Sequence, residues 1–121
     1  MADNRQLLGR AGEQMAADLL AGKGYQILAH NWRSGRSGEI DLVALDGSCL
    51  VIVEVRTRRG HAFGSAEGSV TPTKQARLAV LATAYCEAAG WQGPLRIDVV
   101  AISFSGDGRL LETRHIEDAV G

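Results

Sequence analysis

Apolar residues recur at three- and four-residue spacing from Arg5 to Lys23, where Leu8, Ala11 or Gly12, Met15, Ala16, Leu19 and Leu20 would line one side of a helix. Asp3 or Asn4 stands where a cap belongs, and Gly22 and Gly24 stop the pattern. The period then changes. Tyr25–Asn31 reads as a strand with Tyr25, Ile27 and Ala29 on one face, and Arg33–Gly38 is a loop rich in Gly, Ser and Arg. Two apolar runs follow, Ile40–Leu45 and Leu50–Val55, joined through Asp46-Gly47, a strong hairpin signal. The second run is apolar on both faces, as expected of a central strand covered on both sides.

A Gly-containing loop is expected over 58–69. Thr71-Pro72-Thr73 marks a second helix start, because proline fits the first helical position. That helix is expected to reach Ala89, with Leu78, Leu81, Ala82 and Tyr85 as its apolar stripe, and to end at Gly90. Leu95–Phe104 reads as a further strand, Gly106-Asp107-Gly108 as a turn, and Leu110–Ile116 as the last strand. The order α-β-β-β-α-β-β predicts a single α/β domain over 1–121, with a central mixed β-sheet of about five strands flanked by helices.

The 121 residues suffice for a core without disulfides or a structural metal. Cys49 and Cys86 form no CxxC pair and read as reduced thiols, Cys49 in a strand and Cys86 in a helix. No leader-like segment and no run long and apolar enough for a membrane span occurs, so the expectation is a cytoplasmic protein with no membrane partner. No Ser/His/Asp arrangement, phosphate loop or dinucleotide fingerprint is present, and His30, His61 and His115 lack ligand spacing. Trp32 and Trp91 are expected to pack in the core or at its edge rather than stack on bases. Net charge is −1, which argues against an indiscriminate DNA binder. Yet eleven of the thirteen basic residues are arginine, the side chain whose planar fork holds phosphate through two hydrogen bonds. Arg33 and Arg36 form one cluster, and Arg56, Arg58 and Arg59 another.

The candidate chemistry lies in the carboxylates. Strand side chains alternate faces, so Glu39 and Asp41 share a face, as do Glu54 and Arg56. If Asp46-Gly47 forms a two-residue loop, Leu45 opposes Ser48 and Glu39 opposes Glu54, which sets Asp41 and Glu54 diagonally on the same side of the hairpin. Like charges so close raise one another's pKa, and buried charges are normally paired or bound to a metal. Hard oxygen donors of this kind suit Mg2+ or Mn2+. The competing reading is a salt-bridge network of Asp41 and Glu54 with Arg33, Arg56 or Arg58. Glu13, mid-helix beside Gly12, would either join the carboxylates or face solvent. Gln75 would either contact phosphate or face solvent, and Asp98, in an apolar strand, is expected to pair with Arg77 or Arg96.

Several segments together carry a resemblance: Gly9-Arg10-Ala11-Gly12-Glu13, Asn31-Trp32-Arg33, Gly38-Glu39-Ile40-Asp41-Leu42, Val53-Glu54-Val55-Arg56-Thr57-Arg58, Phe63-Gly64, Lys74-Gln75, Arg96-Ile97-Asp98-Val99-Val100 and His115-Ile116-Glu117-Asp118-Ala119. In this order they resemble the YraN-like uncharacterised bacterial family (UPF0102). That family looks like the PD-(D/E)XK nuclease superfamily, with a restriction-endonuclease-like fold, and is similar in layout to archaeal Holliday junction resolvases. The resemblance implies a helix glutamate, a hairpin aspartate and a Glu-x-Lys on the next strand. These fall on Glu13, Asp41 and Glu54-Val55-Arg56, with Glu13, Asp41 and Glu54 holding Mg2+ or Mn2+ and with DNA, branched or single-stranded, as the partner.

The sequence departs from that pattern at Arg56, where the lysine would stand; arginine cannot act as a general base. Lys74 matches a second lysine of the family and would supply an amine near the site. Arg10, Arg33, Arg36, Arg58 and Gln75 are the expected nucleic-acid contacts. The functional expectation is a metal-dependent nuclease-fold protein hydrolysing phosphodiesters. Its alternatives are a non-catalytic nucleic-acid-binding module and a protein-interaction domain. An exposed apolar edge at Leu110–Ile116 would also support a homodimer.

Overall fold

The computed structural model describes residues 4–60 and 70–120. Its elements run α1 (Asn4–Gly22), β1 (Gln26–Arg33), β2 (Glu39–Asp46), β3 (Cys49–Arg59), α2 (Pro72–Ala89), β4 (Leu95–Phe104) and β5 (Leu110–Ile116). The five strands form one sheet in the order β1-β2-β3-β4-β5. Pairing is antiparallel except between β3 and β4, which run parallel because α2 carries the chain back across the sheet. This is the α/β mixed sheet flanked by helices that the alternating periods imply.

The helices cover opposite faces. Ala16, Ala17 and Leu20 of α1 pack on Leu42, Ala44, Val51, Val53, Val100 and Ile102. Leu78, Leu81 and Ala82 of α2 pack on Ile40, Val43, Leu50, Ile52, Ile97 and Val99. Residues 50–53 of β3 are thus fully buried and alternate between the two layers, which explains their unbroken apolar run. α2 begins where the sequence places it: Thr71 Oγ1 accepts from Lys74 N at 3.2 Å, and Pro72 opens the helix. It ends on Gly90, whose φ of 67° completes a left-handed cap.

Three local expectations are corrected. The hairpin loop is Gly47-Ser48, not Asp46-Gly47, because Gly47 takes the positive φ (59°) and Asp46 stays paired with Cys49. The first strand starts at Gln26, after Tyr25, and reaches Arg33. Its register shifts between Ile27 and Ala29, so Ile27 packs on the α1 layer and Ala29 on the α2 layer instead of sharing a face. The expected 58–69 loop also begins later, since Arg58 and Arg59 continue β3; Phe63-Gly64 lies outside the described residues. Trp32 packs edge-on against Tyr85 at 5.2 Å between ring centroids, a packing role as expected.

Candidate metal centre

The β2–β3 ladder runs in register from Asp46↔Cys49 to Leu42↔Val53 and its pairing stops there. One step further, Asp41 would face Glu54. At that point the alternation of β2 slips: Ile40 packs on the α2 layer, whereas Leu42, two residues on, packs on the α1 layer. Asp41 sits at the slip. Its Oδ2 accepts the backbone N–H of Val55 at 2.8 Å, so the carboxylate takes a donor that a continuing ladder would have given to a carbonyl.

The helix partner arrives through a close approach. A Cβ on Gly12 would fall 2.0 Å from Thr57 Cγ2, so α1 rests on β3 at a point only glycine permits. The next residue, Glu13, is thereby brought to the sheet. Carboxylate oxygens of Glu13, Glu39 and Asp41 lie within 4.8 Å of one another. Asn31, with a left-handed φ of 50°, completes the cluster. With its amide nitrogen facing the carboxylates, it donates to Glu39 Oε1 at 2.8 Å and Glu13 Oε2 at 3.1 Å. Arg33 Nη2 caps Glu39 Oε2 from outside at 3.0 Å.

The electrostatics follow from this crowding. Burial, together with the neighbouring Glu54 carboxyl, pushes Asp41 up to about 8, against the pull of the Val55 N–H. Burial also raises Glu13, opposed by the Asn31 hydrogen bond. Lys74 is lowered by burial and by Arg56 beside it, while Glu54 works in the other direction. Glu54, Arg56 and Lys74 are therefore near enough to interact, on the α2 side of the carboxylates.

The sequence-derived residues divide accordingly. Glu13 and Asp41 meet as expected, and the Glu54 side chain stands beside Asp41, one step beyond the last pair of the ladder. Arg56 and Lys74 border Glu54. Arg10 and Arg33 line, with Gly9, Glu13, Asn31 and Glu39, a depression of about 500 Å3 on the other side. Arg36 stands exposed in the turn closed by the Ser34 N–Gly38 O hydrogen bond, and Arg58 is exposed near the end of β3. The Gln75 side chain is used locally, donating to Val70 O at 3.0 Å, so it serves the helix start.

Glu39 and Asn31 were not among the expected site residues. The signal for Glu39 was its shared strand face with Asp41; Asn31 opens the Asn31-Trp32-Arg33 segment of the resemblance, which carried no site role for it. The competing salt-bridge reading holds for Arg33, but its partner is Glu39 rather than Asp41 or Glu54.

The donor set fits a hard divalent cation. Three carboxylates converge, all of them half-buried, and two are raised in pKa, so a positive charge among them would relieve their repulsion.

The model of the uncharacterised protein family UPF0102 matches residues 12–102. The chain belongs to the UPF0102 family. A UPF0102 protein of Herpetosiphon aurantiacus is 53% identical over 110 residues, covering 87% of this chain and 88% of the relative. One of Pelotomaculum thermopropionicum is 47% identical over 120 residues, covering 98% and 99%. One of Symbiobacterium thermophilum is 52% identical over 104 residues, covering 85% and 87%. This is the YraN-like family that the ordered motifs resemble. The UPF0102 match spans the α1 glutamate, the hairpin and β3, the three elements that build the carboxylate cluster.

Proposed function

We propose that this protein is a metal-dependent phosphodiesterase acting on DNA, with Glu13, Glu39 and Asp41 as the Mg2+ or Mn2+ ligands and Glu54 beside them. The observation that carries the reading is the convergence of three carboxylates within 4.8 Å, one of them pushed up to about 8. Such a group holds either a proton or a cation at neutral pH. When bound, a divalent ion supplies Lewis acidity, easing deprotonation of a water and offsetting charge on a phosphate.

The chain's own residues supply the rest. The Val55 N–H fixes the Asp41 carboxylate in one orientation. Asn31 holds Glu13 and Glu39 together. Arg10 and Arg33 on one side, and Arg56 and Lys74 on the other, offer cationic donors for the phosphates of a strand passing over the carboxylates. Among the described residues no helix is long and apolar enough to span a bilayer.

Isothermal titration of Mn2+ into the wild-type protein and into Asp41→Ala tests the metal site, with binding expected in the first and lost in the second. Cleavage of branched or single-stranded DNA should be metal-dependent and abolished in Asp41→Ala and Glu54→Ala. Cleavage that survives both substitutions would sink the reading. Arg56 favours a second reading, a nucleic-acid-binding module that cuts poorly, since no lysine stands two residues after Glu54. Salt-sensitive DNA binding without turnover, together with cleavage gained by Arg56→Lys, would support it.

A further inference from the structure

The sheet has two edges, and they are built differently. β1 is interrupted by its register shift and by the left-handed Asn31, and it borders the carboxylates. Both are devices that blunt an edge against pairing. β5 is the other edge, and residues 110–114 are exposed on both faces, so it projects beyond the cover of both helices. Its register shift falls at its start, between the pairings Phe104↔Leu110 and Ser103↔Glu112, and Glu112–Ile116 pair regularly with β4. Leu110 and Leu111 are 48% and 39% exposed.

The sequence of this edge is complementary to itself. A twofold axis perpendicular to a sheet pairs two copies of an edge strand antiparallel, and residues that face one another must share a side of the sheet. The axis therefore runs between the two strands, midway between the two copies of one residue. Centred on Thr113, it sets Glu112 opposite Arg114 of the second copy, and Arg114 opposite its Glu112. Centred one residue either way, it sets Glu112 against Glu112 or Arg114 against Arg114. Opposite charges across a pair stabilise it and like charges disfavour it. Glu112 and Arg114 already face the same way, since Arg114 Nε donates to Glu112 Oε1 of the same chain at 2.6 Å. The Thr113 register also carries the exposed Leu110 and Leu111 to the partner's His115–Ile116 end.

We infer that β5 is a homodimerisation edge: two copies join their sheets antiparallel about Thr113, locked in register by reciprocal Glu112–Arg114 pairs. Backbone hydrogen bonds supply the attraction, as in strand addition generally, and the charges select the register and the partner.

The test is a charge exchange read by sedimentation or light scattering of the full chain, with circular dichroism to confirm folding. Wild type is expected at the mass of two chains. Glu112→Arg and Arg114→Glu, each at an exposed position, should both fall to the mass of one chain. Mixing the two single variants should restore the two-chain mass, because the two arginines of one copy then face the two glutamates of the other. A purely intrachain role for the pair predicts no such restoration. A monomeric wild type, single variants that remain dimeric, or a mixture that stays monomeric would each overturn the inference. So would a dimer whose cross-links map to another face.

Discussion

The backbone N–H of Val55 donates to Oδ2 of Asp41 at 2.8 Å, and this one bond ties the end of the β2–β3 ladder to the candidate metal centre. Where the ladder stops, at Leu42↔Val53, β3 would be left with a donor lacking its partner. The aspartate side chain takes it. The carboxylate is thereby oriented by the same strand that carries Glu54, and the closeness of Asp41 to Glu54 is a consequence of the fold rather than of a mobile side chain.

The first prediction concerns stability without metal. Asp41 is raised to about 8, so the folded state holds a proton that the unfolded chain releases near the ordinary aspartate value. A raised group contributes stability that is complete below the unfolded pKa and is lost as pH rises through the folded pKa. Metal-free stability should therefore decline from about pH 4 towards about pH 8, by about 1–3 kcal/mol after allowance for solvent around a half-buried site. Asp41→Asn removes the titration while retaining an acceptor for Val55, and should flatten that limb of the profile. Urea denaturation in the presence of a chelator measures it; a wild-type profile as flat as that of the variant would contradict the assignment.

The second prediction follows from the same group. A cation must displace the proton, so Mn2+ binding near neutral pH should release protons and tighten as pH rises towards about 8. Titration in two buffers of different ionisation enthalpy counts the protons. Binding heats independent of buffer would mean that Asp41 is not displaced from its proton by the metal.

How much of this was legible in the sequence depends on the kind of interaction that fixed each part. The elements were legible because α1, β3 and α2 bury periodic apolar stripes, and the period survives in the order of residues. Asp46-Gly47 announced a hairpin but not its loop, since glycine occupies the first loop position there instead of the second. The resulting shift is two residues, which keeps the side chains of the paired residues 42–46 on their faces. Asp41 and Glu54 do come together, as expected, but Asp41 lies at the slip beyond the last paired residues, so it is the local geometry and not strand alternation that brings its side chain to Glu54. The slip between Ile40 and Leu42, the β1 irregularity and the left-handed Asn31 were not legible, because they arise where strands part company and depend on neighbours distant in sequence. Glu39 could have been assigned from its shared face with Asp41; Asn31 was marked only as the first residue of the Asn31-Trp32-Arg33 motif, with no periodicity to aim it at the carboxylates.

The third prediction tests the contact that delivers Glu13. Gly12→Ala would place a methyl group 2.0 Å from Thr57 Cγ2, forcing α1 away from β3. Overpacking of this kind costs about 1–3 kcal/mol, which here should outweigh the helix propensity gained by alanine. Thr57→Ser removes the offending methyl, so the double variant should recover much of the lost stability. Because Glu13 adjoins the displaced turn, Mn2+ affinity should fall in Gly12→Ala and return with Thr57→Ser. Equal destabilisation in single and double variants would place the strain elsewhere.

The last prediction concerns Asp98, whose side chain is entirely buried in β4. As the sequence led one to expect, it pairs with Arg96: Nε at 2.8 Å to Oδ1 and Nη2 at 3.1 Å to Oδ2. It also meets His115 Nε2 at 2.7 Å and accepts the backbone N–H of Asp118 at 3.0 Å. Arg96 reaches on to Tyr25 Oη and Asp46, while His115 Nδ1 meets Lys23 Nζ at 2.8 Å. The network thus fastens the chain after β5 to the strands near the hairpin, on a different part of the sheet from the carboxylate cluster. Asp98→Ala would strand a largely buried arginine and a histidine whose side chain is 3% exposed. Breaking a buried pair from one side costs about 3–5 kcal/mol, a large share of a small domain's stability. Asp98→Asn keeps acceptors for Arg96 and Asp118 and should cost less. Thermal denaturation should rank wild type above Asp98→Asn above Asp98→Ala, with Mn2+ binding retained by whatever fraction stays folded. Loss of metal binding from a fully folded Asp98→Asn would show that the two networks are linked and that this separation is wrong.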